Sequence, residues 1–329
     1  MPECGHADSF FARHCFAVMK AFVAALLVAC SAAAWGEPFA YVANEGSGSL
    51  SVIDTASDRV VDEIAVGGKP RGTAIAADGR TAYVSDQAGH RVAVVDLARR
   101  RVAASIAIGR SPEGVALSPD GRWVVVAVEE GNEIAFIDSR SASVAFVVPV
   151  RGRNPEHAVF APDGAHVFVS AEDGKSVDVV DVAARRVVAE IAVGLRPRGI
   201  GFSADGKRAW IAAELANEVY VVDALQFKVL HVVKAGLRSN GIAVHPDGSR
   251  VYVSNGGDAT VSVIDTATHA IVATIGVGQR PWNMALTPDG RKLYVACGRS
   301  GTVAVIDTRR QERIADIAVG RLPWGVAIR

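Results

Sequence analysis

From Ala40 onwards the chain alternates short apolar runs with polar turns, and this alternation repeats at a fixed interval. Each unit contains four runs rich in apolar and β-branched residues, and each run has the length of a β-strand. The clearest marker is an Asp that closes the third run of every unit. It recurs every 42 or 43 residues, at Asp54, Asp96, Asp138, Asp181, Asp223, Asp265 and Asp307. A period of this length, carried by short strands, predicts a β-propeller.

One complete unit predicts the four strands of a blade, which we call A to D in chain order. Strand A is expected at residues 70–77, strand B at 81–85, strand C at 91–96 and strand D at 101–109. The Asp-Gly pair that follows strand A in most units is typical of a tight turn, because Gly accepts a positive φ. Strands C and D are almost continuously apolar, which predicts that neighbouring blades cover both of their faces.

The ends of the chain are out of phase with the unit. The first repeat begins in strand B, near Tyr41, whereas the last residues, 323–329, form a strand A. We therefore predict an all-β fold, a seven-bladed β-propeller of four-stranded antiparallel blades. The C-terminal strand is expected to pair with the three N-terminal strands and close the ring, which leaves no open end with unpaired strand edges.

The N-terminal segment does not follow the repeat. A positive charge, a short apolar run and small residues follow one another, which predicts a signal peptide over 1–36 and a propeller over 37–329. The expected location is periplasmic or secreted, and Met19 is an alternative start. The apolar run is too short to span a bilayer. In a competing interpretation the residues before Cys30 form a lipobox, and Cys30 carries a lipid anchor.

Charge and cysteine content exclude several classes of function. The 35 basic and 35 acidic residues balance, so nothing predicts binding to nucleic acid or to an anionic membrane. After residue 36 the sequence has one cysteine, Cys297, which is interpreted as a small packing residue. The sequence contains no covalent-haem motif, nucleophile elbow or phosphate-binding loop. We therefore expect a binding protein without a catalytic residue, a metal or a cofactor of its own.

The residue that follows the Pro at the start of strand A differs from unit to unit. Around the ring it is Arg71, Glu113, Glu156, Arg198, Asn240, Trp282 and Trp324. The next residue is Gly in five units but His157 and Asn283 in the other two. The loop before strand A should reach the mouth of the central channel. A repeated scaffold with one variable position at its mouth is typical of a binding site.

Three interpretations of these residues remain open. In the first, they form a solvated, mutually paired rim, with Arg71 bound to Glu113 and Glu156 bound to Arg198. The acidic loops after strand B would belong to the same solvated rim; they contain Glu129, Glu130, Glu172, Asp173 and Glu214.

In the second interpretation, Trp282, Trp324 and Arg71 fall on consecutive blades of the closed ring. Two indoles and a guanidinium could hold a flat anionic ligand by stacking and charge-assisted hydrogen bonds. Because these residues are expected near the solvent end of strand A, truncating either indole should leave the packing between blades intact. If no ligand binds there, the tryptophans plug the channel.

In the third interpretation, hard oxygen ligands bind a divalent cation, as in Ca²⁺ sites. The ligands would be Glu113, Glu156, Asn240 and Asn283, with His157 as a base. Arg198 would lie among them and oppose a cation.

Recurring Tyr-Val pairs and Val-Ile-Asp-Thr runs give the sequence a family resemblance. Tyr-Val-x-Asn is intact at Tyr41–Asn44 and 252–255, and Val-Ile-Asp-Thr occurs at 52–55, 263–266 and 305–308. These motifs resemble the YVTN family of β-propeller repeats, and more narrowly the propellers associated with pyrroloquinoline-quinone-dependent catabolism.

The resemblance implies a periplasmic accessory in quinone-dependent alcohol oxidation. Its partner would be a quinoprotein dehydrogenase, a cytochrome c or a small ligand, and an association with the quinone cofactor is implied by the resemblance alone. The alternative function is a metal-dependent lactonase with its site at the channel mouth, since lactone-hydrolysing propellers are similar in placing a metal there.

Overall fold

The computed structural model describes residues 38–329, in which 28 strands form seven antiparallel sheets of four strands each. This confirms the predicted seven-bladed propeller. The predicted signal peptide and Cys30 lie outside the described residues. No helix within residues 38–329 is long and apolar enough to cross a membrane.

The strands are numbered β1–β28 in chain order, and each blade contributes strands A to D from the channel outwards. Blade 1 contains β28 (Pro323–Ile328), β1 (Phe39–Asn44), β2 (Ser49–Asp54) and β3 (Arg59–Ala65). Blade 2 contains β4 (Pro70–Ile75), β5 (Thr81–Asp86), β6 (Arg91–Asp96) and β7 (Arg101–Ala107). Blade 3 contains β8 (Pro112–Leu117), β9 (Trp123–Val128), β10 (Glu133–Asp138) and β11 (Ser143–Pro149), with a 3₁₀ turn at Glu129–Gly131. Blade 4 contains β12 (Pro155–Phe160), β13 (His166–Ala171), β14 (Ser176–Asp181) and β15 (Arg186–Ala192).

The remaining three blades repeat the same plan. Blade 5 contains β16 (Pro197–Phe202), β17 (Arg208–Ala213), β18 (Glu218–Asp223) and β19 (Lys228–Lys234). Blade 6 contains β20 (Ser239–Val244), β21 (Arg250–Asn255), β22 (Thr260–Asp265) and β23 (Ile271–Gly276). Blade 7 contains β24 (Pro281–Leu286), β25 (Lys292–Cys297), β26 (Thr302–Asp307) and β27 (Glu312–Ala318).

Blade 1 joins the two ends of the described chain. Its strand order is β28-β1-β2-β3, and Val326 of β28 lies opposite Val42 of β1. The backbone amides of Phe39 and Arg329 each donate to the other residue's carbonyl at 3.1 Å. The predicted closure of the ring is therefore confirmed.

Two strands of the blade are shorter than predicted. Strand A of blade 2 ends at Ile75, because the Ala76 amide donates to the Thr81 carbonyl and the chain turns through Gly79 at φ 67°. Strand D of the same blade ends at Ala107.

Burial differs sharply between strands C and D, although both are apolar in sequence. Val92–Val95 of β6 are buried, and clusters of such residues fill the space between neighbouring blades. In β7 most side chains are exposed or half-buried, and Ile106 is the buried one. The prediction that both faces of strand D are covered is therefore wrong. Blades diverge with distance from the channel, so the outermost strands lie too far apart to cover each other.

Small residues let the seven A strands approach closely around the channel. A Cβ added to Gly72 would lie 2.5 Å from the Glu113 carbonyl of the next blade, and one added to Gly241 would lie 2.5 Å from the Trp282 carbonyl. Ser85 donates to the same Glu113 carbonyl at 2.5 Å. These glycines are therefore required by packing, and the close approach brings the variable positions of neighbouring blades together.

The loops before strand A and after strand B share one face of the ring. In blade 2 the Gln87 amide donates to the Lys69 carbonyl at 3.0 Å, and in blade 7 the Gly298 amide donates to the Arg280 carbonyl at 3.0 Å. We call this side the mouth face. The turns between strands A and B and between C and D lie on the opposite face, where the Leu97 amide donates to the Arg80 carbonyl at 2.8 Å.

Candidate functional site at the channel mouth

The mouth face surrounds a cavity of about 410 Å³, which we call the mouth cavity. It is lined by Glu45, Arg71, Gln87, Glu129, Glu156, Glu172, Arg198, Asn240, Arg280, Trp282, Asn283, Leu322 and Trp324. Seven of the nine predicted site residues are in this lining. The other two, Glu113 and His157, contact residues of the lining from below. The structure thus brings the predicted residues together at one place.

Arg71 and Glu113 form the first predicted ion pair. Arg71 Nη1 lies 2.6 Å from Glu113 Oε1, and Arg71 Nε lies 3.3 Å from Glu45 Oε2. Gln87 donates to the same Glu113 oxygen at 2.8 Å. The Arg71 guanidinium, which the second interpretation places against an anionic ligand, is therefore already held by two acidic side chains of the protein.

Glu113 is fully buried, and its second oxygen, Oε2, has no partner within residues 38–329. Burial, followed by the charge of Glu156, raises the pKa of Glu113 to about 8. Burial also raises the pKa of Glu156. Protonation of Glu113 near neutral pH would relieve the repulsion between these two carboxyl groups.

Arg198 is the centre of the second predicted ion pair and binds three carboxylates. Its Nη1 lies 2.5 Å from Glu156 Oε1, its Nε lies 2.9 Å from Glu214 Oε2, and its Nη2 contacts Glu172. Arg198 and Glu156 are buried, and Glu214 has no exposed surface. The predicted pairing is confirmed, but the prediction of a solvated rim is wrong for these residues. A guanidinium has five donors, so one Arg can satisfy several buried carboxylates at once.

Trp324 and His157 close the channel below the mouth cavity. Their ring centroids are 5.6 Å apart with 29° between the planes, although Trp324 belongs to blade 1 and His157 to blade 4. Both residues also line a second cavity of about 130 Å³, deeper in the channel. Trp324 is the second residue of β28, at the mouth end of the strand as predicted, but its side chain is buried and forms a floor of the mouth cavity.

The His157 imidazole is neutral over the physiological range. Burial, and next the charge of Arg198, lower the pKa of His157 to about 3. Its Nε2 is buried and has no partner within the part of the chain that the structure describes.

Trp282 has a different environment from Trp324. It is half-buried and lines the mouth cavity beside Asn240 and Asn283. A Cβ added to Gly298 would lie 2.4 Å from Cζ3 of the Trp282 ring. The indole therefore packs against the bare backbone of its own blade, and this fixes its position at the edge of the cavity.

Two of the four oxygen ligands proposed for a divalent cation already pair with arginines of the protein. Glu113 and Glu156 face Arg71 and Arg198 at 2.6 and 2.5 Å. Within residues 38–329 no group of three or more His, Cys, Asp or Glu side chains is arranged to hold a metal ion. Both carboxyl groups already pair with a guanidinium, and a divalent cation would have to bind beside these two positive charges, so this donor set does not fit one.

Several lining residues were not identified from the sequence, although the repeat could have revealed them. The first residue after strand B is Glu45, Gln87, Glu129, Glu172, Glu214, Gly256 and Gly298 around the ring. The residue before the Pro position is Lys69, Ser111, Asn154, Arg196, Arg238, Arg280 and Leu322. Both positions keep the period of the blades, and Glu45, Gln87, Glu129, Glu172, Arg280 and Leu322 line the mouth cavity from them.

Cys297 has the role predicted for it. The side chain is fully buried in the cluster between blades 6 and 7, and the thiol is free.

Two family models match parts of the chain. The model described as "Lactonase, 7-bladed beta-propeller" matches residues 182–315, and the model "Cytochrome D1 heme domain" matches residues 36–158. Comparison with curated proteins gives no match. The chain is thus related to two families of propeller proteins, over different blades.

Similar solved structures cover most of the chain. Hydrazine synthase of Kuenenia stuttgartiensis has a TM-score of 0.76 at 24% identity, over 82% of this chain and 92% of that one. A 6-phosphogluconolactonase candidate from Bacteroides uniformis has a TM-score of 0.78 at 18% identity, and the match covers 89% of this chain and 100% of that one. Dihydro-heme d1 dehydrogenase NirN in complex with DHE has a TM-score of 0.66 at 18% identity, and the match covers 88% of this chain and 74% of that one. At these identities the similarities establish the fold and no more.

Proposed function

We propose that this chain is a binding propeller that holds a flat ligand in the mouth cavity. The proposal is carried by one observation: the cavity is a blind recess with the half-buried indole of Trp282 at its edge and the stacked rings of Trp324 and His157 below. A recess of about 410 Å³ is in the size range of small-molecule sites.

The side chains of the recess are held in place before any ligand arrives. Arg71 and Arg198 are fixed by two and three carboxylates, and the Trp282 ring by the backbone at Gly298. A ligand that enters therefore does not have to order these groups, which lowers the entropic cost of binding. Trp282 offers a surface for stacking, and the amides of Asn240 and Asn283 offer donors and acceptors at the edge of a ring.

The comparisons supply candidate ligands with this shape. The family model that matches residues 36–158 is named for a heme domain, and NirN is named as a dihydro-heme d1 dehydrogenase. The resemblance to propellers of quinone-dependent catabolism adds pyrroloquinoline quinone, which is also flat. In that setting the propeller is a periplasmic accessory, and its partner is a quinoprotein dehydrogenase or a cytochrome c.

Calorimetric titration of the purified propeller with pyrroloquinoline quinone, haem and gluconolactone tests the proposal. Trp282→Ala should weaken binding of a flat ligand about tenfold, since a base or ring stacked on an aromatic side chain contributes about 1–3 kcal/mol. Trp123→Phe is the matched control, because Trp123 begins a strand B and lies on the opposite face. Equal affinities in the wild type and the folded Trp282→Ala protein would refute the stacking site.

Lactone hydrolysis is the second candidate function. The lactonase model matches residues 182–315, which include Arg198, Asn240, Trp282 and Asn283, and the Bacteroides uniformis structure has the same fold. The donor set described above does not fit a metal, so we derive no metal-dependent step. Hydrolysis of gluconolactone with and without chelator, by the wild type and by Asn283→Ala, tests this function. Chelator-sensitive turnover that Asn283→Ala abolishes would establish the lactonase and displace the binding role.

A further inference from the structure

Four arginines converge on one carboxylate at one side of the mouth cavity. Glu214 Oε2 lies 2.9 Å from Arg198 Nε and 3.3 Å from Arg196 Nε. Glu214 Oε1 lies 2.9 Å from Arg280 Nη2 and 3.5 Å from Arg238 Nη1. Although burial opposes its ionisation, the charges of Arg198, Arg280 and Arg196 lower the pKa of Glu214, so this carboxylate is ionised.

The carboxylates around this cluster do not balance its positive charge. Arg198 also pairs with Glu156 and Glu172, and Arg196 also pairs with Glu172. Four guanidinium groups thus face three carboxyl groups, and burial raises the pKa of one of the three, Glu156. Each arginine has a partner, but at least one positive charge of the cluster is not balanced.

The excess charge lies on the side of the mouth that also carries Trp282. Arg238 begins blade 6 and Arg280 begins blade 7, and within residues 38–329 Glu214 is the single acidic partner of each. On blades 1 to 3 the arginines are paired differently: Arg71 faces Glu45 and Glu113, and Arg110 pairs with Glu130. The cluster around Glu214 is therefore a part of the mouth where several arginines share one carboxylate.

We infer that the flat ligand carries an oxyanion, a carboxylate or a phosphate, and that Arg280 binds this group with support from Arg238. The inference rests on the proposed function and names the chemical class of its ligand. Arg280 lines the mouth cavity two residues before Trp282, and its side chain is 16% exposed. Arg238 is half exposed and lies 3.5 Å from its carboxylate, so it is the less firmly held of the two.

The geometry explains how one ligand could use both groups. A ring stacked on Trp282 would direct an edge substituent toward Arg280 of the same loop, where a planar guanidinium can donate two hydrogen bonds to one oxyanion. Arg71 is already held by Glu45 and by the buried Glu113, so Arg280 replaces it as the arginine that recognises the anion.

The test compares pyrroloquinoline quinone, which is planar and carries three carboxylates, with its uncharged trimethyl ester. We expect Arg280→Ala to weaken binding of the acid about tenfold or more and to leave the ester unchanged, because a hydrogen bond to a charged group contributes more than a neutral one. Trp282→Ala should weaken both compounds. Arg110→Ala is the control, since Arg110 lies in the equivalent loop of blade 3 and pairs one-to-one with Glu130 at 2.9 Å.

A second arm uses inorganic phosphate alone and measures the melting temperature. If phosphate raises the melting temperature and Arg238→Ala and Arg280→Ala remove this rise, phosphate is an acceptable oxyanion. If phosphate does not raise the melting temperature but pyrroloquinoline quinone binds tightly, the site is specific for a carboxylate. The inference is overturned if Arg280→Ala affects acid and ester equally. It is also overturned if the wild type binds neither the acid nor phosphate. If instead Trp282→Ala changes nothing while Arg280→Ala weakens the acid, the stacking site fails and the anion site remains.

Discussion

The rings of His157 and Trp324 meet at a centroid distance of 5.6 Å from blades that are three positions apart in the ring. This contact closes the channel and separates the mouth cavity from the smaller cavity below. The two variable tryptophans therefore differ in role: Trp324 forms a floor, whereas Trp282 faces the space in which a ligand would bind.

The first prediction separates these roles by stability. Trp324→Ala removes a buried indole together with its contact to His157, and such truncations cost about 3–5 kcal/mol of the free energy of unfolding. Trp282→Ala removes a half-buried side chain and should cost much less. Urea denaturation of the two variants measures the difference. If both variants lose the same free energy of unfolding, Trp324 is not the buried floor of the mouth cavity.

The second prediction concerns the ion-pair cluster. Arg198→Ala leaves Glu156 buried without its guanidinium partner and removes one of the four arginines that bind Glu214, and breaking a buried pair in this way costs about 3–5 kcal/mol. Arg110→Ala, which breaks an exposed pair on the same face, should change stability by about 0.5 kcal/mol or less. Denaturation of both variants at neutral pH checks the contrast, and a mild effect of Arg198→Ala would mean that water reaches these carboxylates.

The third prediction is a pH dependence that originates from His157. Its pKa falls from the ordinary value of 6.5 to about 3 on folding, so the unfolded chain binds a proton more readily than the folded one. The stability that neutral His157 contributes is fully present above pH 6.5 and is lost as the pH falls toward 3, with a slope of at most about 1.4 kcal/mol per pH unit.

His157→Phe keeps an aromatic ring against Trp324 but removes the titrating group. The difference in unfolding free energy between wild type and variant, measured by urea denaturation from pH 4 to 7, should therefore change with pH in this direction. A difference that is constant over the range would show that His157 is accessible to solvent and titrates normally.

The repeat made the fold predictable, because the same turn and strand signals occur seven times. The number of blades, the strand order and the closure at β28 follow from the Asp residues that end strand C in each repeat and from the points of the repeat at which residues 38–329 begin and end. Exposure of strand D was not predictable from its apolar residues, since it depends on the distance between blades at their outer edges. Burial of Glu214 was missed for a similar reason: the sequence does not show that four arginines from three blades reach one carboxylate.

The candidate site was predictable at the level of positions but not of contacts. The variable residue after the Pro correctly indicated seven residues around the mouth, of which six line the cavity. The contact between His157 and Trp324 joins residues from distant repeats across the channel, and its existence depends on the channel width. That width is set by the close approach of the A strands at Gly72 and Gly241, which only the three-dimensional structure gives.

The last prediction tests the closure of the ring. Deleting residues 323–329 removes β28, which pairs with β1 from Ala40 to Asn44, and it also removes Trp324 from the channel. The free edge of β1 would be exposed, and such an edge promotes association of chains. We expect the shortened protein to aggregate or to unfold without a cooperative transition, as followed by light scattering and circular dichroism during heating.

Arg329→Ala is the control for this deletion, because it keeps the backbone bonds to Phe39 and changes one exposed side chain. It should melt like the full chain. Trp324→Ala separates loss of the indole from loss of the strand: it should lower the melting temperature while the transition stays cooperative. If the deletion variant also melts cooperatively and stays soluble, β28 is not needed to hold the ring together, and the three remaining strands of blade 1 must keep their place without it.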